Sequence, residues 1–343
     1  MTTSTVGRSE KAKNTMECIP VSAATYTTVT FNVAAPKRAE LIVEHWQHDE
    51  LLARECRGLP RGIRTLEIKT HPDASHIACS LQAGNRPIVE AKFSVTCGDP
   101  IEATGRNFIV IGAMKAGTTT LYHLLNQNPV LSRTYAELPG SSFTKEINYF
   151  NKLYREGNTD LHYDWRFPFD RARHAWTLDI SPNYAKLPWT KAVPERIAKL
   201  GGETRLAYIL REPVDRIESN LAHRIRRNKK LPSFNRCVRT SSYALHMDKF
   251  TEHIPRENIL LLDFYQLQHD PAAVQAQICD FLEIDRFIAQ TKVRNQRDCD
   301  YQLDETQRME FAEALRPDVD LLINKYGFEP AKAWLESSSG RRS

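Results

Sequence analysis

Long apolar runs are missing from this 343-residue chain. The richest, Phe108–Gly112 and Ile259–Leu262, are far shorter than the roughly 20 residues that a membrane-spanning helix needs. No membrane span is therefore expected. The first seventeen residues are polar and carry no apolar core of a secretory signal, so the chain is read as cytoplasmic. Cysteine is present but unpatterned. None of the seven forms a CxxC, and none joins histidine at zinc-binding spacing. Cys79 and Cys97 suit neighbouring strands, but thiols in a reducing compartment read as small buried hydrophobes. A strong charge bias is also absent. The net charge is +5 and the pI about 8.7, which suits anionic small ligands and not a protein that coats nucleic acid.

What is present divides by texture. Residues 1–17 read as a disordered tail. Residues 18–100 read as a small, mostly β accessory domain. Its period-2 patterns include Val29/Phe31/Val33, Leu66/Ile68, Ile77/Cys79/Leu81 and Val89/Ala91/Phe93/Val95. "AGNR" at 83–86 suits a hairpin turn, and Ala39–Ala53 is ambiguous with helix. From residue 105 to about 335 the pattern turns α/β. Apolar strands at 107–111, 175–180, 205–210 and 258–263 alternate with helical stretches, which predicts a parallel sheet flanked by helices. Residues 336–343 read as a flexible tail.

The most informative stretch is "FIVIGAMKAGTTTLYHLL", residues 108–125. A strand breaks at Gly112 and a helix starts near Thr118, the layout of a P-loop-like phosphate cradle. The expected ligands of the anion are Lys115, Ala116, Gly117, Thr118, Thr119 and Thr120. A Walker loop would place lysine after its second glycine. Here Thr118 stands there, and Lys115 lies inside the loop. A second strand, 206–210, ends at Arg211, where a Walker B strand would end in an acid. Arginine suits a phosphate and not Mg²⁺. Pro213 suits a first helical turn, and Val214, Ile217, Leu221 and Ile225 recur on one helical face. Ser219 follows Arg211 by eight residues.

These two segments resemble the 5′-phosphosulfate loop and the 3′-phosphate motif of sulfotransferases. Three further stretches are similar to the heparan-sulfate-type and bacterial branch: "FTKEINYF" at 143–150, "DISPNYA" at 179–185 and "SSYALHM" at 241–247. The resemblance covers residues 105–335 and implies that family's fold and its donor, 3′-phosphoadenosine 5′-phosphosulfate (PAPS), with no metal required. It implies Arg211 and Ser219 on the 3′-phosphate, Tyr243 and Arg294 at the nucleotide, and Lys115 at the leaving phosphate. Glu146 matches the family's glutamate and is expected to take a proton from a hydroxyl or amine of a sugar or small metabolite. Lys145 is expected to help orient the sulfuryl group. Histidine-using relatives make His123, His162 and His174 rivals for the base. Ile180 departs from the lysine that several members carry before Ser-Pro.

The acceptor side is less defined. Aromatics and arginines at 162–176, from His162 to Trp176, suit a sugar or an anionic acceptor or else ordinary packing, and five basic residues in "RIRRNKK" at 224–230 suit either an acidic glycan or a solvated helix end. Two other readings stay open. Asp179 at the end of "HAWTLD" suits a Walker B acid of a kinase or NTPase. A non-catalytic nucleotide-binding protein is the other.

Overall fold

A computed structural model of the chain describes residues 16–19, 28–35, 39–59, 62–69, 74–83, 86–94, 105–133, 146–154, 163–164, 166–167, 173–186, 190–289 and 301–339. The chain forms two compact units. The first is built chiefly from residues before 104, and the second chiefly from residues after.

The first unit is antiparallel. Strands β1 (Met16–Ile19), β2 (Thr28–Ala35) and β5 (Gly62–Lys69) make one sheet, in the order β1-β2-β5. Strands β3 (Ala39–Gln47), β4 (Glu50–Leu59), β6 (His76–Ala83) and β7 (Arg86–Ser94) make another, in the order β4-β3-β6-β7. The ambiguous stretch from Ala39 is thus a hairpin and not a helix. Leu41, Val43 and His45 alternate into the core, and the chain turns at His48–Asp49 with His48 at φ 54°. A 15-residue window read across that turn mixes two strands of period 2. The ends of β6 and β7 pair at Ala83 and Arg86, and the middle of the expected "AGNR" turn, Gly84 and Asn85, lies outside the described residues. The disordered tail was expected to run to residue 17, but β1 begins at Met16.

The second unit holds the parallel sheet. Its strands are β8 (Arg106–Gly112), β9 (Leu131–Arg133), β10 (Trp176–Ile180), β11 (Glu203–Leu210) and β12 (Ile259–Asp263). They lie in the order β12-β11-β8-β10-β9, all parallel. Phe108–Ile111 and Leu206–Leu210 are fully buried, as strands covered by helices on both faces must be. The helices are α1 (Thr118–Leu125), α2 (Val193–Ala198), α3 (Pro213–Arg226), α4 (Phe234–Arg239), α5 (Tyr243–Thr251), α6 (Phe264–His269), α7 (Pro271–Leu282), α8 (Glu305–Tyr326) and α9 (Lys332–Ser339). Helix α9 runs to Ser339, beyond the expected start of the flexible tail.

From β8 the chain fills β9 and β10 on one side of the sheet, then β11 and β12 on the other. The order therefore switches at β8. In open α/β sheets ligands bind in the crevice beyond the strands' carboxyl ends at such a point. The 113–117 loop leaves the carboxyl end of β8, Ser181 that of β10, and Arg211 that of β11.

Helix α3 lies beside this crevice. Pro213 occupies its first turn, and the Glu212 carboxylate caps it, accepting from the Val214 and Asp215 amides at 3.0 and 2.5 Å. Val214, Ile217 and Leu221 pack with Leu303, Phe311 and Leu315. Ile225, expected on the same face, is 41% exposed, because the helix reaches past the core in its last turn. Arg308 of α8 pins α3 from outside, donating to Asp215 at 2.7 Å and to Glu218 at 3.0 Å.

Candidate functional site

The loop after β8 is held at both ends. The Ala113 amide donates to the Ile209 carbonyl at 2.8 Å, and the Leu121 amide of α1 donates to the Gly117 carbonyl at 3.0 Å. Gly117 is the N-cap of α1 at φ 80°, and no side chain caps that helix start. The left-handed backbone at Gly117 favours glycine, and a Cβ there would also crowd the Phe264 ring at 3.0 Å. Gly112 is needed for close approach, since a Cβ there would sit 2.9 Å from Tyr208. The first-turn amides at Thr118–Thr120 lie at the positive end of the helix dipole, where anions are favoured.

Arg211 reaches this loop. Its Nη1 donates to the Lys115 carbonyl at 3.3 Å, and its guanidinium lies 4.8 Å from the centre of the Phe264 ring. Its Nε is buried and has no hydrogen-bond partner among the described residues. Tyr243 is fully buried, and its hydroxyl donates to the Arg211 carbonyl at 2.8 Å. Tyr243 therefore sets the position of Arg211 through the main chain. Ser219 is half-buried two turns along α3. His223, one turn further, has its pKa lowered to about 4 by partial burial and by Lys115, Arg226, Arg227 and Lys229. The basic run at 224–230 thus raises the positive potential beside the loop, while Arg224 also holds the segment after α3 by donating to the Lys230 carbonyl at 2.7 Å.

Glu146 approaches from the other side of β8. Just after it, Asn148 adopts φ 53° and is tied to the turn after β10. The Asn148 amide donates to Ser181 Oγ at 2.9 Å, and Asn183 Nδ2 donates to Asn148 Oδ1 at 3.0 Å. Asn148 Nδ2 in turn donates to the Glu146 carbonyl at 3.2 Å. The turn itself is organised by Asp179. This fully buried carboxylate accepts from Ser181 Oγ at 2.6 Å and from the Tyr184 hydroxyl at 2.8 Å. Burial and Asp179 push the Tyr184 pKa far up, which keeps that hydroxyl a donor. Asp179 is thus engaged in shaping the turn, which removes the main support for a Walker B reading. The Ser-Pro-Asn-Tyr segment serves to place Glu146.

The structure brings Lys115, Gly117, the three threonines and Arg211 together, with Glu146 and Ser219 on elements that border the same crevice. His123 is exposed on α1, away from its buried face. Lys145, His162 and Arg294 lie outside the described residues. Two aromatics from the suspected acceptor segment are fully buried, Phe167 and Trp176. Trp176 Nε1 donates to the Leu282 carbonyl at 3.1 Å, and Arg106 and Arg205 lie 5.4 and 5.2 Å from its ring centre. Among the described residues no group of three or more His, Cys, Asp or Glu is placed to hold a metal ion, and no helix is long and apolar enough to cross a membrane. Sequence reasoning passed over Lys186 and Arg216. Lys186 stands just after the Ser-Pro-Asn-Tyr turn. Arg216 lies in the same segment as Arg211 and Ser219, where its position on the helix's buried side was the available signal.

Comparison with known proteins bears on this arrangement. The family model of the sulfotransferase domain matches residues 106–316, more than half of the chain. Human heparan sulfate glucosamine 3-O-sulfotransferase 5 is 28% identical over 201 residues, covering 53% of this chain and 54% of that protein. Human bifunctional heparan sulfate N-deacetylase/N-sulfotransferase 3 is 28% identical over 203 residues, covering 52% of this chain and 22% of that protein. The chain thus spans about half the length of the first relative and less of the second. Among solved structures, a sulfotransferase from Alicyclobacillus acidocaldarius shares the fold, with a TM-score of 0.51 at 20% identity over 65% of this chain and 96% of that one. The chain belongs to the sulfotransferase family, and residues 106–316 are its sulfotransferase domain.

Proposed function

We propose that this chain transfers a sulfuryl group from PAPS to a hydroxyl or amine of a carbohydrate or small-molecule acceptor. The observation that carries the donor assignment is Arg211. A half-buried arginine with a buried, unused Nε, docked on a loop that opens a helix, is a site shaped for a phosphate. The carbohydrate class rests on the likeness to relatives named for heparan sulfate.

When bound, PAPS supplies the sulfuryl group and a leaving nucleotide with phosphates at its 3′ and 5′ positions. The amides and hydroxyls of Ala116–Thr120 hold the 5′-phosphate, and Arg211 and Ser219 hold the 3′-phosphate. Tyr243 acts behind Arg211. Lys115 places its ammonium where negative charge grows on the bridging oxygen, so its displaced position in the loop has a purpose. Arg294 and Lys145 keep the nucleotide and sulfuryl roles that the family resemblance implies. Glu146 takes the proton from the acceptor oxygen or nitrogen. Sulfuryl transfer, like phosphoryl transfer, asks the protein chiefly for in-line positioning and charge stabilisation. The test is radiolabelled PAPS incubated with the protein and a cell extract, followed by mass analysis of labelled products. Label in a sugar or small metabolite supports the proposal. Hydrolysis of ATP with no label transferred overturns it.

A further inference from the structure

Arg216 is a cation without a counterion among the described residues. It is 1% exposed, yet among them it bonds only to neutral hydroxyls. Its Nε donates to Ser241 Oγ at 2.9 Å, and its Nη2 donates to Ser241 Oγ at 2.7 Å and to Thr240 Oγ1 at 3.0 Å. Those hydroxyls pass their own protons to main-chain carbonyls of α4, Thr240 to Arg236 and Ser241 to Cys237. No carboxylate bonds to Arg216 among the described residues, and its Nη1 has no hydrogen-bond partner among them. A buried charge left in this state costs several kcal/mol as a rule.

The unused end of Arg216 faces a small cleft that Tyr208 and Thr240 also line. Ala113 and Met114 of the loop after β8 form one wall, and Pro182 and Ala185 of the turn after β10 form another. Lys186 lines the same cleft. It is half-buried and makes no hydrogen bond or ion pair among the described residues. Burial and the nearby Arg236, Arg216 and Arg224 lower its pKa, with only Glu146 acting in the opposite sense. Two cations therefore converge on one small cleft between the phosphate loop and the turn that places Glu146.

We infer that Lys186 and Arg216 form an oxyanion subsite of the transfer site, one that takes a sulfate or carboxylate group lying beside the reacting atoms. The inference rests on the sulfuryl-transfer reading for what the subsite serves. The oxyanion comes either from the sulfuryl end of the donor or from an acidic group on the acceptor. In both cases its negative charge offsets the buried guanidinium and raises the affinity of Lys186 for its proton. The subsite also supplies a cation near Glu146 in a chain that has Ile180 where several relatives carry lysine.

The test titrates inorganic sulfate into the full-length protein saturated with 3′-phosphoadenosine 5′-phosphate, following melting temperature against chloride at matched ionic strength. The parent should show a saturable rise. Lys186→Met should weaken the apparent sulfate affinity by at least about 10-fold, the scale of a lost charge-assisted hydrogen bond, and Lys186→Arg should restore it. Arg216→Gln should act in the same direction, and the Lys186 pair decides the matter if that buried variant fails to fold. Equal sulfate affinity in the parent and Lys186→Met overturns the subsite. Nucleotide affinity is read separately. If the parent does not bind the nucleotide, the donor assignment fails, while the sulfate titration without nucleotide still tests the cleft. Repeating the titration with PAPS identifies the source. Loss of sulfate binding assigns the subsite to the donor's sulfuryl group, and retained binding assigns it to the acceptor.

Discussion

Replacing Arg211 with alanine removes three things at once. It deletes a charged donor facing the loop, the bond to the Lys115 carbonyl, and the contact with the Phe264 ring. The loop bond is long, at 3.3 Å, and Arg211 has no carboxylate partner among the described residues, so little folding stability depends on it. The orphaned Nε points instead to a binding role. A charge-assisted bond to a phosphate contributes about 1.5–3 kcal/mol. The variant should therefore bind 3′-phosphoadenosine 5′-phosphate about 10- to 150-fold more weakly by calorimetry. Urea unfolding should change by no more than about 1 kcal/mol, the scale of one modest hydrogen bond. Arg211→Lys should recover only part of the affinity, because an ammonium cannot offer the planar fork of donors. The affinity of the parent should also fall with added salt more steeply than that of Arg211→Ala. Unchanged nucleotide affinity in Arg211→Ala would refute the assignment, whatever happened to stability.

Two predictions concern the frame around the site. His246 is fully buried, its Nδ1 accepting from the Tyr208 hydroxyl at 2.8 Å and its Nε2 donating to the Arg239 carbonyl at 2.9 Å. Burial lowers its pKa from 6.5 to about 4, so between those values the unfolded chain binds the proton and the folded chain does not. Its contribution is complete above pH 6.5 and is lost as pH falls below it, by about 2 kcal/mol at pH 5. Glu212 and Asp318, raised to about 6 by burial, act in the opposite direction, so the assay is the difference in urea stability between the parent and His246→Gln at pH 7.5 and 5. Parallel pH profiles for the two proteins would remove His246 from the account. Arg308→Ala unpins α3 from α8 and should cost about 1–3 kcal/mol, since it leaves Asp215 and Glu218 half-buried without their cation. Thermal melting reads the loss, and a melting temperature equal to the parent's would contradict the role given to this network.

The parts of the fold set by local physics were legible. The strands flanking the phosphate loop are unbroken apolar runs bounded by Gly112 and Arg211, and Pro213 marks the start of α3. Strand β9 has only three residues and no period to read, so it was missed. The first-unit hairpin at 39–59 was blurred because its turn lies at His48–Asp49, without glycine or proline. In the candidate site, Lys115 and Arg211 stand in motifs whose spacing could be read directly, whereas Glu146 was named only through the family resemblance. Lys186 and Arg216 were named by neither, because a lysine after a turn and an arginine within a helix look like surface residues. Only the tertiary packing that buries Arg216 beside Thr240 and Ser241, and turns Lys186 to the same cleft, shows otherwise.

The central claim is that Glu146 removes the acceptor's proton while the loop and Arg211 hold the donor. The direct measurement is kcat of Glu146→Gln for transfer of label from PAPS, beside its affinity for 3′-phosphoadenosine 5′-phosphate. Glutamine keeps the shape and removes the basic oxygen. The account predicts a fall in kcat of at least ~100-fold, as for loss of a general base, with nucleotide affinity within about twofold of the parent. Near-parental turnover in Glu146→Gln, alongside an inactive but folded His123→Asn protein, would contradict it and assign proton transfer to the histidine.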